Sequence, residues 1–252
     1  MIERQEAYSV IYKVLKKNKF SSSLLNKQAK KIKTQEGNHE FFYTLVKGVI
    51  KRKGYLEYVA SSFGHPKKYS KTDLKVKVLL YLGYYQLMYL DSVPDHSAVD
   101  ETVKLAKTLY NQRTADFVNA MLRSYLRKPN IELPTEPIPR IAIEHSYPTE
   151  LISSWVDIYG LENAEYLAMY FNEFPDINIR VNTYATTLEK LLKYFNNRDI
   201  ELRTYPGIKN VFRAKDAQKA LNDVGFSEGY YSIQDAAASL VVDLLDPLPK
   251  ES

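Results

Sequence analysis

Four prolines crowd into one short stretch of this chain, at positions 129, 134, 137 and 139. Proline lacks a backbone N–H and its ring clashes with the preceding turn, so no continuous helix can run through this stretch. Before it the apolar residues show helical spacing alone, and after it helical and alternating spacing are mixed. The pattern predicts a multi-domain protein, an all-α helical bundle followed by a small α+β domain. We expect the bundle over residues 1–128, a Pro-rich linker over 129–139 and the α+β domain over 140–229.

Several residues before the prolines predict where helices start. The segment from Glu3 to Asn18 has apolar residues at helical spacing, and Asn38 is placed to cap the next broad apolar face. Thr72 is placed to cap the most apolar segment, which we expect to be the central helix. Pro94 stands at the start of another helix.

After the prolines, one helix is predicted from Pro148 to Gly160 and another from Glu162 to about Asn172. Residues 176–182 alternate with period two, which is typical of a half-buried strand. Residues 187–197 return to helical spacing, and 200–205 and 210–213 are predicted to be strands. A last apolar helix follows Gln234 and Asp235.

Composition excludes several classes of protein. The chain has no cysteine, which removes disulfides, thiolate nucleophiles and cysteine metal sites. Its four histidines lack metal-ligand spacing, so no metal is expected. The longest apolar run, residues 78–90, is too short and too rich in tyrosine to cross a bilayer. We therefore expect no membrane partner and, by default, a cytoplasmic protein.

Charge is distributed unevenly along the chain. Residues 1–77 carry 18 Lys and Arg against 6 Asp and Glu, whereas residues 78–252 carry 17 against 24. Such asymmetry predicts that one end faces a polyanion, with salt-dependent and sequence-independent nucleic-acid binding. The alternative for any single lysine is a solvated helix face.

Two smaller groups of polar residues extend the candidate surface. Asn119, Arg123 and Arg127 recur every four residues, a stripe that either reaches phosphates or is an ordinary solvated face. Arg180 and Asn182 lie on the polar face of the first predicted strand, where they either face nucleic acid or a further domain, or belong to an ordinary exposed strand face. The residues expected to bind a polyanion are Lys16, Lys17, Lys30, Lys31, Lys51, Arg52, Lys53, Asn119, Arg123, Arg127, Arg180 and Asn182.

The helical half resembles the NusB domain, an all-helical RNA-binding fold. The residues that carry the resemblance are EFFYTLVKGVIKRKGYLEYV, DLKVKVLLYLGYYQLMYLDSVPDHSAVDETVKLAKTL and ADFVNAMLRSYLR, and they span nearly all of residues 3–128. The resemblance implies that the polyanion is RNA.

The second half resembles the segment that precedes the catalytic domain in RNA cytosine-5 methyltransferases of the Sun type. The matching pieces are HSYP at 145–148 through Trp155, NIRVN at 178–182 and YSIQD at 231–235. In the ribosomal RNA branch of that family a NusB-like domain comes first, as it does here. Glu150 departs from the pattern, since the family usually has an aromatic residue there.

This second resemblance implies a mechanism that the chain cannot perform alone. The family uses a cysteine thiolate to attack cytosine and S-adenosylmethionine as methyl donor, whereas this sequence has neither a cysteine nor a Gly-rich cofactor turn. We therefore expect residues 230–252 to begin an absent cofactor-binding domain. We also expect that no residue of this chain is catalytic, that the chain by itself is inert, and that it binds no cofactor. Gln234 and Asp235 either contact cofactor at the edge of that domain or cap the final helix.

The leading hypothesis is the RNA-recognition region of a ribosomal RNA cytosine-5 methyltransferase that uses S-adenosylmethionine. A stand-alone NusB-like RNA-binding or antitermination-type factor is the alternative. A protein-interaction scaffold is less favoured because of the charge at the amino-terminal end.

Overall fold

The computed structural model describes residues 1–17, 22–35, 37–64, 69–173, 177–215 and 217–245. Contacts divide the chain into two compact units, Met1–Asn172 and Glu173–Ser252, which we call the helical unit and the sheet unit. The predicted fold class is confirmed: the first unit is helical and the second adds a small antiparallel sheet. No helix among the described residues combines the length and hydrophobicity needed to cross a bilayer.

The helical unit is a bundle built around one buried helix. Its helices are α1 (Ile2–Lys17), α2 (Ser22–Thr34), α3 (His39–Lys51), α4 (Lys53–Phe63), α5 (Leu74–Tyr89), α6 (Asp95–Leu109), α7 (Gln112–Arg127), α8 (Pro137–His145), α9 (Thr149–Tyr159) and α10 (Leu161–Tyr170). Every residue from Val78 to Gln86 is buried, so α5 is surrounded on all sides, as its uniformly apolar sequence predicts. The buried amide of Gln86 is paired, because Arg4 Nε donates to Gln86 Oε1 at 2.7 Å.

Helix capping confirms one expectation and corrects another. Asn38 caps α3, because its Oδ1 accepts a hydrogen bond from Phe41 N at 2.9 Å. The cap of α5 is Asp73, whose Oδ1 accepts from Lys75 N at 2.8 Å, and the prediction of Thr72 was wrong by one residue. The Thr72 N–H bonds back to the carbonyl of Tyr69, which keeps Thr72 in the preceding turn.

The prolines end one helix group without ending the helical unit. Pro137 opens α8 at its first turn, where a missing N–H costs nothing. The backbone N–H of Tyr55 in α4 donates to Ser146 Oγ at 2.8 Å, and the Tyr58 hydroxyl donates to the Glu132 carbonyl at 2.7 Å. Contacts therefore group α8, α9 and α10 with the preceding helices. The sequence pattern had instead predicted the domain boundary at the prolines.

The sheet unit contains four strands and the helices that cover them. Its elements are β1 (Ile177–Val181), α11 (Leu188–Asn196), β2 (Leu202–Tyr205), β3 (Ile208–Ala214), α12 (Ala217–Asn222), α13 (Val224–Ser227), β4 (Tyr231–Ile233) and α14 (Ala236–Leu245). The strand order is β2-β3-β1-β4, with Ile179 opposite Phe212 on one side and Ile233 on the other. Ile179, Val181 and Phe212 face the buried core. Asp176, the first residue of the predicted strand at 176–182, and residues 246–252 lie outside the described residues.

Candidate nucleic-acid interface

The lysines of the first two helices lie on helices that contact one another, and they remain accessible. Lys16, Lys17 and Lys30 are exposed, and the Lys16 ammonium lies over the Tyr12 ring, 5.6 Å from its centroid. Lys31 is bound by Glu6, with Nζ 2.5 Å from Oε1, although half of its side chain is exposed. One of these four positive charges is thus compensated within the unit, and the surface stays basic.

The cationic run at the α3–α4 junction is more engaged than its sequence indicates. The Arg52 guanidinium lies 5.2 Å from the centroid of the Tyr89 ring. Lys53 pairs with Glu57, which Lys77 also approaches at 3.5 Å. Burial, followed by the neighbouring Arg52 charge, lowers the pKa of Lys51. These three residues are therefore partly structural, and positive charge exceeds negative charge around Glu57.

The stripe on α7 forms as predicted and is held by neutral partners. Arg123 Nε donates to Asn119 Oδ1 at 2.9 Å, and an Arg127 amino group donates to Ser124 Oγ at 2.9 Å. Both arginines are exposed. An amide or hydroxyl oxygen orients a guanidinium without cancelling its charge, so both groups keep full electrostatic attraction for phosphate.

The sheet unit brings together residues that the sequence assigned to separate roles. An Arg180 amino group donates to Gln234 Oε1 at 3.2 Å, across the β1–β4 pair. Asp235 caps α14, since its Oδ1 accepts from Ala237 N at 2.7 Å. Asn182 braces the turn after β1, with its Nδ2 donating to the Gly229 carbonyl at 2.8 Å.

The sequence did not identify Tyr184, which lies beside Arg180 and Asn182, as a candidate binding residue. Tyr184 follows the Asn182 turn and its side chain is 102% exposed, the full exposure of an extended chain. Together with Arg180 and Asn182 it lines a hollow of about 320 Å³. The available signal was an aromatic residue two positions after an asparagine, where an Asx-turn fixes the backbone.

A group of potential metal ligands in the helical unit is already bonded to an arginine. Among the described residues, Glu144, His145 and Glu165 bring ligand atoms within 4.8 Å of one another. The Arg140 guanidinium lies 2.9 Å from an oxygen of each glutamate. Burial lowers the pKa of His145. Because Arg140 is bonded to both carboxylates, the group acts as an ion-pair network between α8 and α10, and we assign no metal to it.

The surface of α9 and α10 differs in chemistry from the basic helices. Residues 146–173 contain no Lys or Arg but include Glu150, Asp157, Glu162, Glu165 and Glu173. Exposed aromatic side chains accompany these acids: Tyr159, Tyr166, Tyr170 and Phe171. The negative charge makes this face unsuited to RNA.

Known proteins match both halves of the chain. Residues 1–127 match the NusB family. Over 99% of its length the chain is 31% identical to the probable ribosomal RNA small subunit methyltransferase B of Bacillus subtilis (strain 168) and 28% identical to that of Synechocystis sp. (strain ATCC 27184 / PCC 6803 / Kazusa). The chain spans about half the length of these curated relatives, 56% in each case. The crystal structure of PH0851 covers 98% of this chain, and is itself covered to 56%, with a TM-score of 0.64 at 14% identity, a likeness of fold alone.

Proposed function

The chain belongs to the NusB family, and from that premise we propose that it is the RNA-recognition region of a ribosomal RNA methyltransferase. In this proposal ribosomal RNA is the partner, which implies a cytoplasmic place of action. The basic residues of α1 to α4 supply attraction to the phosphate backbone, and the exposed arginines of α7 add further phosphate contacts.

The observation that carries this proposal is the extent of the similarity. The NusB match ends at residue 127, and a NusB domain by itself would serve equally in a stand-alone factor. The similarity to ribosomal RNA small subunit methyltransferase B continues through the sheet unit and covers 99% of the chain. A second unit shared with methyltransferases favours the enzyme over the stand-alone factor.

The finer part of the proposal concerns the reaction. We infer transfer of a methyl group from S-adenosylmethionine to carbon 5 of a cytosine, from the resemblance to the Sun type that both halves of the sequence carry. The described residues supply RNA contacts in this scheme and take no part in covalent chemistry, which requires a thiolate. Reading the coding sequence past the Ser252 codon tests this part. A Gly-rich turn and two cysteines are expected there, and an immediate stop codon would contradict it.

RNA recognition is tested directly by binding. We expect the chain to bind protein-free small-subunit ribosomal RNA more tightly than a length-matched RNA of shuffled sequence, with affinity falling as salt rises. Equal affinity for both RNAs would argue for a general RNA-binding factor, and no binding would overturn the proposal. Preferential binding to a transcript bearing an antitermination-type element would favour the alternative, a stand-alone NusB-like factor.

A further inference from the structure

The turn after β1 holds a fully exposed tyrosine in a fixed backbone. The N–H of Tyr184 donates to Asn182 Oδ1 at 3.2 Å, and the Asn182 carbonyl accepts from the N–H groups of Ala185 and Thr186 at 3.0 Å each. The Asn182 side chain and backbone N–H also bond to the carbonyls of Gly229 and Tyr230, at 2.8 and 2.9 Å. The chain thus orders a turn whose aromatic ring packs on none of the residues that the structure describes, so the ring is available to stack on a ligand.

The space beside this ring has the size of a small ligand site, and its lining mixes apolar and polar residues. Its volume is about 320 Å³, at the lower end of the range for ligand pockets in proteins. Arg180, Thr183 and Ser232 are polar residues of its lining, which also includes Gly229. β4 is the last strand in the order, so one of its edges has no neighbouring strand among the described residues.

The charge of the hollow favours an anionic ligand. Arg180 is exposed, and its described hydrogen-bond partner, Gln234, is neutral. Among the described residues that line the hollow, Arg180 is the charged one, and Asp235, three residues after Ser232, caps α14. A guanidinium with a neutral partner retains the charge that binds a phosphate oxygen.

We propose that this hollow is a subsite for one nucleotide of single-stranded RNA, in which Tyr184 stacks on the base and Arg180 binds the adjoining phosphate. Asn182 is a positioning residue, which acts by fixing the turn. This proposal rests on the proposed function, because it assumes that the chain binds RNA. It adds the place at which the sheet unit contacts that RNA. Stacking on an aromatic ring tolerates any base, so the subsite reads single-strandedness rather than sequence.

The experiment uses the whole chain and short single-stranded RNAs that carry one 2-aminopurine, moved one position at a time. Stacking on Tyr184 is expected to change 2-aminopurine fluorescence at one or two positions when the RNA is saturated with protein. Tyr184→Phe keeps the signal because the ring remains. Tyr184→Ala abolishes it and weakens binding roughly 10-fold, since one base–aromatic stack is lost. Arg180→Ala weakens binding and leaves the signal at saturation.

Two matched controls separate this subsite from the rest of the protein. Tyr166→Ala removes another highly exposed tyrosine, on the acidic face of α10, and leaves both signal and affinity unchanged. The triple variant K51A/R52A/K53A weakens binding while the signal at saturation persists. Salt-dependent RNA binding with a signal that survives Tyr184→Ala would overturn the subsite alone. A chain that binds none of these RNAs would overturn the subsite together with the proposed function.

Discussion

The helical unit and the sheet unit place their cationic side chains in different ways. On the helices, Arg123 and Arg127 bond to residues within one turn of themselves and stay on exposed faces. In the sheet unit, Arg180 sits on a strand paired on both sides and bonds to Gln234, 54 residues further along the chain. Cations on open faces attract a polyanion wherever it lies, whereas a cation in a fixed frame favours one position of the ligand. We infer that the helices supply affinity and the sheet unit supplies position.

The largest expected effect tests whether the two units have separate cores. A Cβ added at Gly48 in α3 would lie 2.0 Å from the ring and hydroxyl of Tyr85, which is itself buried. We expect Gly48→Ala to destabilise the helical unit by about 2 kcal/mol or more through overpacking. Amide exchange in β1 and β3 should not change, because Ile179 and Phe212 belong to a different core cluster.

Lys47→Ala is the matched control for this variant, since Lys47 is exposed on the same helix. It should leave the helical melting transition nearly in place. If Gly48→Ala accelerated amide exchange in the strands as much as in the helices, the two cores would be coupled. The helical unit and the sheet unit could then not be treated as independent.

The second effect uses the salt dependence of RNA binding to separate electrostatic attraction by the helices from positioning of the RNA by the sheet unit. Replacing both Arg123 and Arg127 by alanine removes up to two phosphate contacts. For a single-stranded RNA each phosphate contact contributes about 0.7 to the slope of log affinity against log salt, so this slope should fall in magnitude by about 1.4. Filter binding at several salt concentrations measures it, with Lys104→Ala as control, because Lys104 is already paired with Glu101 at 3.1 Å. Tyr184→Ala should lower affinity at unchanged slope. An unchanged slope in the double arginine variant would remove the α7 stripe from the interface.

The third effect concerns the frame that holds Tyr184. Asn182→Ala removes the acceptor for the Tyr184 N–H and the donor to the Gly229 carbonyl. We expect the sheet unit to lose about 1 kcal/mol of stability and the Tyr184 amide to exchange faster. Asn182→Asp keeps the acceptor and loses the donor, so it should fall between wild type and Asn182→Ala. Identical Tyr184 exchange in all three proteins would show that other contacts hold the turn.

Short-range features of this fold were predictable from sequence, and long-range pairings were not. Asn38 caps α3 by accepting a hydrogen bond from Phe41, three residues further on, and the alternation of Ile177, Ile179 and Val181 identifies β1. Both features depend only on residues that are close in sequence. β4 is a strand of three residues, defined by pairing with β1 some 50 residues earlier, and it escaped prediction. The hollow beside Tyr184 depends on that same pairing, so its lining was predictable only in part, at Arg180 and Asn182.

The smallest expected effect tests where the helical unit ends. The hydrogen bond from Arg140 in α8 lowers the pKa of Glu165 in α10. A carboxyl whose folded pKa lies below its unfolded value adds stability above the unfolded value, and this stability is lost as the pH falls through the folded pKa. Glu165→Gln should therefore cost less than about 1 kcal/mol near neutral pH, as partly exposed pairs do, and flatten the acid side of the stability profile.

Chemical unfolding from neutral pH to pH ~3, below the reference carboxyl pKa, measures this loss, with Glu162→Gln on the same helix as the matched control. If α8 and α10 belong to the helical unit, the loss appears in the transition of the main bundle. A loss confined to a separate, earlier transition would place α8, α9 and α10 in a substructure of their own. The division between the units would then move back towards the prolines, as the sequence pattern had it.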